Sequence, residues 1–439
     1  MAETGPTIWM DLTTSLRARG GQTNGTLRVE RSFARELQQL PGAQLRFCRY
    51  DATRRRFESV DATAVADALT TSAKTSAPSA HRGPGASDAR ADRLGRRIER
   101  AVRLSVRGAI QRLHEAVRGG DTAAHFPEAQ PGDVLLLAGE NWSGRTDFGV
   151  LARLRTERGL KIAAVCQDLI PVTHPQFFET GDFVAQYRRY VEFLAQHTDL
   201  VIAISRATAD ELKKAAQAHG GMRGRIAVVE LGSDVASAAE PQPPQTQSPL
   251  QAGQFVISVS TIQSRKNFDL LYRLWHRFAQ EDRSGIPRLV VVGQRGFGSD
   301  ELLAAIAQDA SIKDRFTILH RTSDAELTWL YRNCAYTLYP SYVEGWGLPV
   351  SESLAYGKLC LASNTSSLPE AGAGLALHFG PDDDDAWHTA IIDLAANPQK
   401  LTEAETRIRA TYRQRSWRQA GLELAGYLDA LLARKTVID

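Results

Sequence analysis

The sequence predicts an α/β protein built from two Rossmann-like domains whose parallel sheets face a central cleft. Three observations carry this. Short β-branched runs alternate with helical patterns along most of the chain, the rhythm of strands joined by crossover helices. At 439 residues the chain exceeds the length over which one hydrophobic core keeps growing. A single Pro-, Gln- and Ser-rich stretch, ASAAEPQPPQTQSPLQA at 236–252, interrupts the alternation and reads as a linker. Residues 1–235 and 253–439 are therefore the expected domains, and the last helix is expected to pack back on the first of them.

In the first domain the strand candidates are TIWMD (7–11), DVLLLAG (133–139), KIAAVCQ (161–167), DLVIAIS (199–205) and RIAVVEL (225–231), with a helix over 26–40. Their β-branched content suits strands buried on both faces. In the second domain QFVISVS (254–260), RLVVVG (288–293), FTILH (316–320), AYTLYP (335–340) and KLCLA (358–362) alternate with helices expected over 267–280 and 325–332.

Composition narrows the function classes. Lys plus Arg number 53 against 50 Asp plus Glu, and a net charge of +3 is too small to be a nucleic-acid footprint. The four cysteines, Cys48, Cys166, Cys334 and Cys360, lie far apart, which fits neither a disulfide framework nor a zinc site and suits a reducing, cytoplasmic setting. The start, MAETGPTIWMDL, lacks a basic region followed by an apolar one, and no run of 18 apolar residues occurs, so neither export nor membrane spanning is expected.

A basic insertion, about 62–120, breaks the rhythm. Residues 91–118 read as one helix with Leu94, Ile98, Val102, Val106, Ile110, Leu113 and Val117 on a single stripe, and ten arginines between Arg82 and Arg118 face four acidic residues. Such a helix either packs its stripe on the first domain or lies against anionic lipid headgroups.

The stretch YPSYVEGWGLPVSESLAYG (339–357) carries the most chemistry. A strand ends, a loop with Gly345 and Gly347 follows, and Pro349 opens a helix whose first amides suit phosphate. Glu344 and Glu352 frame the loop and are suited to the vicinal hydroxyls of a sugar or ribose. In isolation the same pair also fits a solvated loop residue and an acid near a helix N-terminus.

The Glu, seven residues, Glu spacing, together with VSTIQSRKNFDLL (259–271), LVVVGQRGFGSDEL (289–302), HRTSDAELTWLYRNC (320–334) and SNTSSLPEAGAG (363–374), resembles the retaining glycosyltransferases of family four, which have the GT-B fold. The resemblance covers nearly the whole second domain and is similar to bacterial mannosyltransferases of surface-polysaccharide assembly. It implies that Lys266, with Arg265 beside it, binds a donor diphosphate, that Glu352 holds the nucleotide ribose, and that Glu344 with Gly345, Trp346, Gly347 and Leu348 meets the donor sugar. Gly293 and Arg295 are expected in the same nucleotide pocket, Thr261 stands where many relatives carry a basic residue, and Asn267 is expected to cap the following helix.

The first domain is the expected acceptor domain. Its segment DLTTSLRARGGQTNGTLRVERSFARELQQL (11–40) resembles the family's opening strand, loop and helix, with Gly25 expected near the diphosphate; Arg28 suits either an anionic ligand or a surface ion pair. VCQDLIPVTHPQFF (165–178) resembles a family strand end, but Gln167 replaces the histidine of many members. Asp168 is a candidate partner for substrate hydroxyls or a turn residue. The run Asp382 to Asp385 reads as a cap for a helix starting near Ala386 rather than as a metal site.

The resemblance implies transfer of a hexose with retained configuration, no metal and no cofactor beyond the nucleoside diphosphate sugar, GDP-mannose leading and UDP-sugars next. The acceptor is a saccharide or lipid-linked saccharide, which sets the protein in the cytoplasm or at the inner face of the plasma membrane. Rival readings are a sugar-nucleotide epimerase or phosphorylase and a catalytically idle GT-B subunit.

Overall fold

The computed structural model describes residues 5–18, 25–40, 44–69, 125–178, 181–233 and 240–433. The basic stripe of 91–118 lies outside them. Two sheets form the frame. The first contains β1 (Ile8–Asp11), β2 (Leu45–Asp51), β3 (Arg56–Ser59), β4 (Val134–Leu137), β5 (Lys161–Cys166), β6 (Leu200–Ala203) and β7 (Arg225–Val228), in the order β3-β2-β1-β4-β5-β6-β7. The second contains β8 (Phe255–Val259), β9 (Arg288–Val292), β10 (Phe316–Leu319), β11 (Thr337–Tyr339), β12 (Cys360–Ser363) and β13 (Leu377–Phe379), in the order β10-β9-β8-β11-β12-β13.

The pairings are parallel except β2 with β3, an antiparallel edge. In both sheets the order turns back beside the first strand, the position at which open α/β sheets bind ligands at their strand C-termini. Strands β1, β4, β6 and β12 are buried at every residue because helices cover both faces. Sequence reading missed β2, β3 and β13. The first two, the edge strand β3 and its neighbour β2, carry Arg46, Arg49, Arg56 and Glu58, so they lack the apolar runs that mark buried strands. All four cysteines are buried thiols without a disulfide.

The two domains share one apolar cluster. Ile202, Ile204 and Leu231 of the first pack with Tyr339, Trp346, Val350 and Leu368 of the second. The final helix, Trp417–Ala433, returns to the first domain: Trp417 meets Phe33 edge-on at 5.8 Å, and Lys161 Nζ donates to the Leu431 carbonyl at the helix end. Glu370 accepts from the Arg206 and Ala207 amides at 2.8 Å, placing a carboxylate on the N-terminus of helix Arg206–Ala216. No helix among the described residues is long and apolar enough to cross a membrane.

Candidate active site

The C-terminal edge of the second sheet gathers the charges. After β8 the chain makes a short turn, Ser264–Lys266, ahead of helix Phe268–Gln280, and after β11 it runs through Glu344 into helix Leu348–Ala355. Because β8 and β11 are neighbours, the two loops lie side by side. Lys266 Nζ donates to Glu344 Oε1 at 2.5 Å and to Tyr339 Oη at 2.7 Å, while Arg265 Nη1 donates to Glu344 Oε2 at 2.9 Å and to the Val343 carbonyl at 2.6 Å.

This cluster is buried, with Lys266 8% exposed. Burial pushes the Glu344 carboxyl up, but Arg265 and Lys266 outweigh it and hold it at about 2. Burial pulls the Lys266 ammonium down to about 8, against the support of Glu344. Both groups are therefore charged at neutral pH. The arginine fork offers five donors and the ammonium three, more than these four bonds use, so donors remain for an anion.

The loop at 344–347 is braced from the segment after β12. Ser366 Oγ accepts the Glu344 amide at 2.9 Å, and Ser367 Oγ donates to the Glu344 and Trp346 carbonyls at 2.9 Å each. The only sign of this bracing in the sequence is two consecutive serines before helix Leu368–Ala371. Gly347 has φ +107, a conformation that favours glycine. Trp346 packs in the apolar cluster between domains, and its buried Nε1 finds no partner among the described residues.

Gly345 has a different reason. A Cβ there would lie 2.0 Å from the Gln167 carbonyl oxygen of the first domain, so the backbones of the two domains touch at this glycine. Thr208 Oγ1 donates to its carbonyl from the same side at 3.3 Å. Gln167 is buried, and its side-chain amide donates to the Ala138 carbonyl at 3.1 Å, tying the ends of β5 and β4 together. Asp168 follows; burial raises its carboxyl while Arg265 across the cleft lowers it. Its Oδ1 accepts the Ile170 amide at 3.0 Å, a local turn bond that leaves the second oxygen available.

Glu352, 3% exposed, takes a bond from Tyr331 Oη at 2.9 Å and an ion pair from Arg28 of the first domain. Arg28 thus spans the cleft to the carboxylate expected to hold ribose. Gly25 begins helix Gly25–Gln38, and a Cβ there would meet nothing within 4 Å.

Other expected site residues have local explanations. A Cβ on Gly293 would lie 1.8 Å from the Ser260 carbonyl oxygen, so close crossing of two strand ends demands glycine. Arg295 is exposed and donates to Asp300 at 2.7 Å. Asn267 sits at the helix start with φ 56, but its side chain makes no cap bond. It donates instead to the Pro340 and Pro381 carbonyls, at 3.2 and 2.7 Å, because these converge on the buried turn. Within the acidic run, Asp383 accepts the Ala386 amide at 3.0 Å and caps helix Asp384–Ala396, while Asp384 and Asp385 pair with Arg273 and Arg277. Among the described residues no three His, Cys, Asp or Glu side chains group as metal ligands.

The family model of glycosyl transferases group 1 matches residues 245–415, which contain Arg265, Lys266, Glu344 and Glu352. O-antigen chain mannosyltransferase B of Escherichia coli is 29% identical over 163 residues, 37% of this chain and 42% of that protein. O-antigen chain mannosyltransferase RfbU of Salmonella typhimurium is 30% identical over 114 residues, 26% of this chain and 32% of that protein. A D-inositol 3-phosphate glycosyltransferase of Mycobacteroides abscessus is 33% identical over 171 residues, 38% of each chain. The matches thus span less than half the length of these relatives. Among solved structures, Anabaena Alr3699/HepE in complex with UDP and glucose superposes with a TM-score of 0.57 at 14% identity, covering 97% of this chain and all of that one. Sucrose-phosphate synthase from Thermosynechococcus elongatus gives 0.50 at 20% identity over 69% of this chain and 73% of its own. These likenesses show the GT-B fold.

Proposed function

We propose, on the match of residues 245–415 to the model of glycosyl transferases group 1, that the chain is a glycosyltransferase moving a hexose from a nucleoside diphosphate sugar to a saccharide or lipid-linked acceptor. The observation that carries this is the buried Arg265, Lys266 and Glu344 cluster, set at a sheet edge against Gln167 and Asp168 of the opposite domain. A leaving diphosphate develops negative charge, and two cations fixed in a water-poor site stabilise it without reorganisation. They supply that charge without a metal ion.

In this reading Arg265 and Lys266 meet the diphosphate, Glu352 accepts the ribose hydroxyls and Glu344 lies by the donor sugar. The acceptor oxygen bonds to the anomeric carbon as the carbon–oxygen bond to phosphate breaks, on the same face, so configuration is retained. The acceptor proton passes to the departing diphosphate. Mannose from GDP-mannose is the leading donor, supported by the names of the two O-antigen relatives, which also favour surface-polysaccharide assembly. Attraction of residues 91–118 to anionic lipid at the inner membrane face belongs to the same proposal and rests on the sequence alone.

The test is calorimetric titration of the protein with GDP, UDP, GDP-mannose and UDP-sugars, repeated for Glu352→Ala and Lys266→Ala. One nucleotide class should bind, and both substitutions should weaken it. Failure of every nucleotide to bind would overturn the proposal.

A further inference from the structure

The loop that carries Glu344 is held from two sides at its two glycines. Gly345 meets the Gln167 carbonyl of the first domain, and a Cβ on Gly347 would lie 2.6 Å from Leu368 Cδ2 in the short helix Leu368–Ala371 that follows β12. That helix carries Glu370, whose two carboxylate oxygens accept the Arg206 and Ala207 amides of the first domain at 2.8 Å each. We propose that residues 366–370 form a strap that couples docking of the two domains to the geometry of the Glu344 loop, with Glu370 as its positioning residue. This rests on the glycosyltransferase reading above.

The contact at Glu370 completes a helix start. The first amides of a helix have no partners within it. In helix Arg206–Ala216, Ser205 Oγ of the first domain accepts the Thr208 amide at 3.0 Å, and the carboxylate of the second domain takes the two amides before it. A carboxylate at this end also meets the positive pole of the helix. The same turn grips a second point. Ser205 Oγ donates to Thr208 Oγ1 at 2.9 Å, which directs the Thr208 proton to the Gly345 carbonyl. One helical turn of the first domain therefore holds both the strap and the loop.

The link from strap to loop is equally direct. Ser366 Oγ accepts the Glu344 amide, and Ser367 Oγ donates to the Glu344 and Trp346 carbonyls, each at 2.9 Å. Ser366 has φ 48, in the left-handed region that a serine occupies where its surroundings hold it there. Leu368 and Ala371 are buried in the apolar cluster that also contains Trp346, which clamps the far end of the strap. Release of Glu370 lets the strap relax at Ser366, and the bonds that place Glu344 beside Arg265 and Lys266 loosen with it. The coupling is reciprocal, since contacts that favour one arrangement favour each other.

The experiment follows amide hydrogen exchange by mass spectrometry in the full chain, with and without GDP or UDP, whichever binds. Ser367→Ala should speed exchange at the Arg206 and Ala207 amides, to which its hydroxyl makes no bond among the described residues. Glu370→Gln keeps the volume but sets an NH2 group against one of those amides, and it should speed exchange at the Glu344 amide of its own domain. Exchange in β9 and β10 should match the wild type in both variants. Kinetics give a second readout: Glu370→Gln is expected to lower kcat for sugar transfer roughly tenfold with donor KM unchanged, a split that general loss of stability does not produce. If each substitution loosens only its own end, or kcat stays at the wild-type value, the inference falls while the glycosyltransferase reading stands. Should Glu370→Gln not fold, Ser367→Ala read at Arg206 and Ala207 decides alone. If no nucleotide binds, the glycosyltransferase reading falls first, and exchange in the free chain still decides the coupling.

Discussion

The two sheet edges that face the cleft handle buried charge in opposite ways. On the second domain, Glu344 is matched by Arg265 and Lys266 and stays ionised, held at about 2. On the first domain, Asp11 and Glu30 are buried with hydroxyl, amide and backbone partners but no ion pair among the described residues, and burial raises both carboxyls, Glu30 to about 8. A paired buried charge is an electrostatic tool ready for a ligand, whereas an unpaired buried carboxyl is a structural bond whose strength depends on its proton. The chemistry is therefore expected to lie on the second edge and the shaping of the acceptor site on the first.

Breaking the paired edge gives the largest effect. Lys266→Ala removes one of the two cations beside Glu344 and is expected to lower kcat on the order of 10²–10³-fold, measured by sugar transfer from GDP-mannose. A variant with unchanged kcat would show that the cluster is structural.

Next comes the glycine that joins the edges. In Gly345→Ala the new Cβ would press on the Gln167 carbonyl at 2.0 Å, so the domains must part there. Displacement of about 1 Å at a reacting centre costs roughly 10²-fold, and kcat should fall by that order while nucleotide affinity changes little. Equal loss of both would mean that the glycine serves the donor site alone.

The paired edge was largely legible in the sequence and the unpaired one was not. Lys266 and Glu344 sit in a turn and a loop, and Glu352 in the helix that follows, where glycines, proline and spacing resemble a known pattern, though nothing in the string shows that Lys266 and Glu344, 78 positions apart, hold each other. Gly293 resembled a ligand-binding glycine because close backbone approach is written the same way whether the neighbour is a ligand or Ser260. Nothing in the string marks Asp11 or Glu30 as buried, since burial of a single acid depends on which loop folds over it. Asn267 read as a cap because helix starts favour asparagine, but the carbonyls of Pro340 and Pro381 recruit its amide from afar.

The unpaired edge predicts a pH dependence of stability. Glu30 is fully buried, its ordinary value is 4.5 and its folded value is about 8, so the folded state binds the proton more tightly than the unfolded one. Its contribution is present below pH 4.5 and is lost as pH rises towards 8, a fall of up to a few kcal/mol. Glu30→Gln keeps an oxygen for the Ser15 amide and hydroxyl and cannot ionise. Thermal melts of the wild type should decline across this window, and those of the variant should decline less; parallel curves would place the pH sensitivity elsewhere.

The smallest effect concerns the bridge between the edges. Arg28 of the first domain pairs with Glu352 of the second, and its side chain is 29% exposed, so the pair is partly screened and contributes about 1 kcal/mol or less. If Glu352 is the ribose carboxylate, the hydroxyls must displace Arg28 before they bind. Arg28→Ala should then raise nucleotide affinity a few-fold, read by calorimetry, because the competing guanidinium is gone and Tyr331 still orients the carboxylate. A loss of affinity instead would make Arg28 a ligand of the bound nucleotide, and the cation on the first edge would join the chemistry of the second.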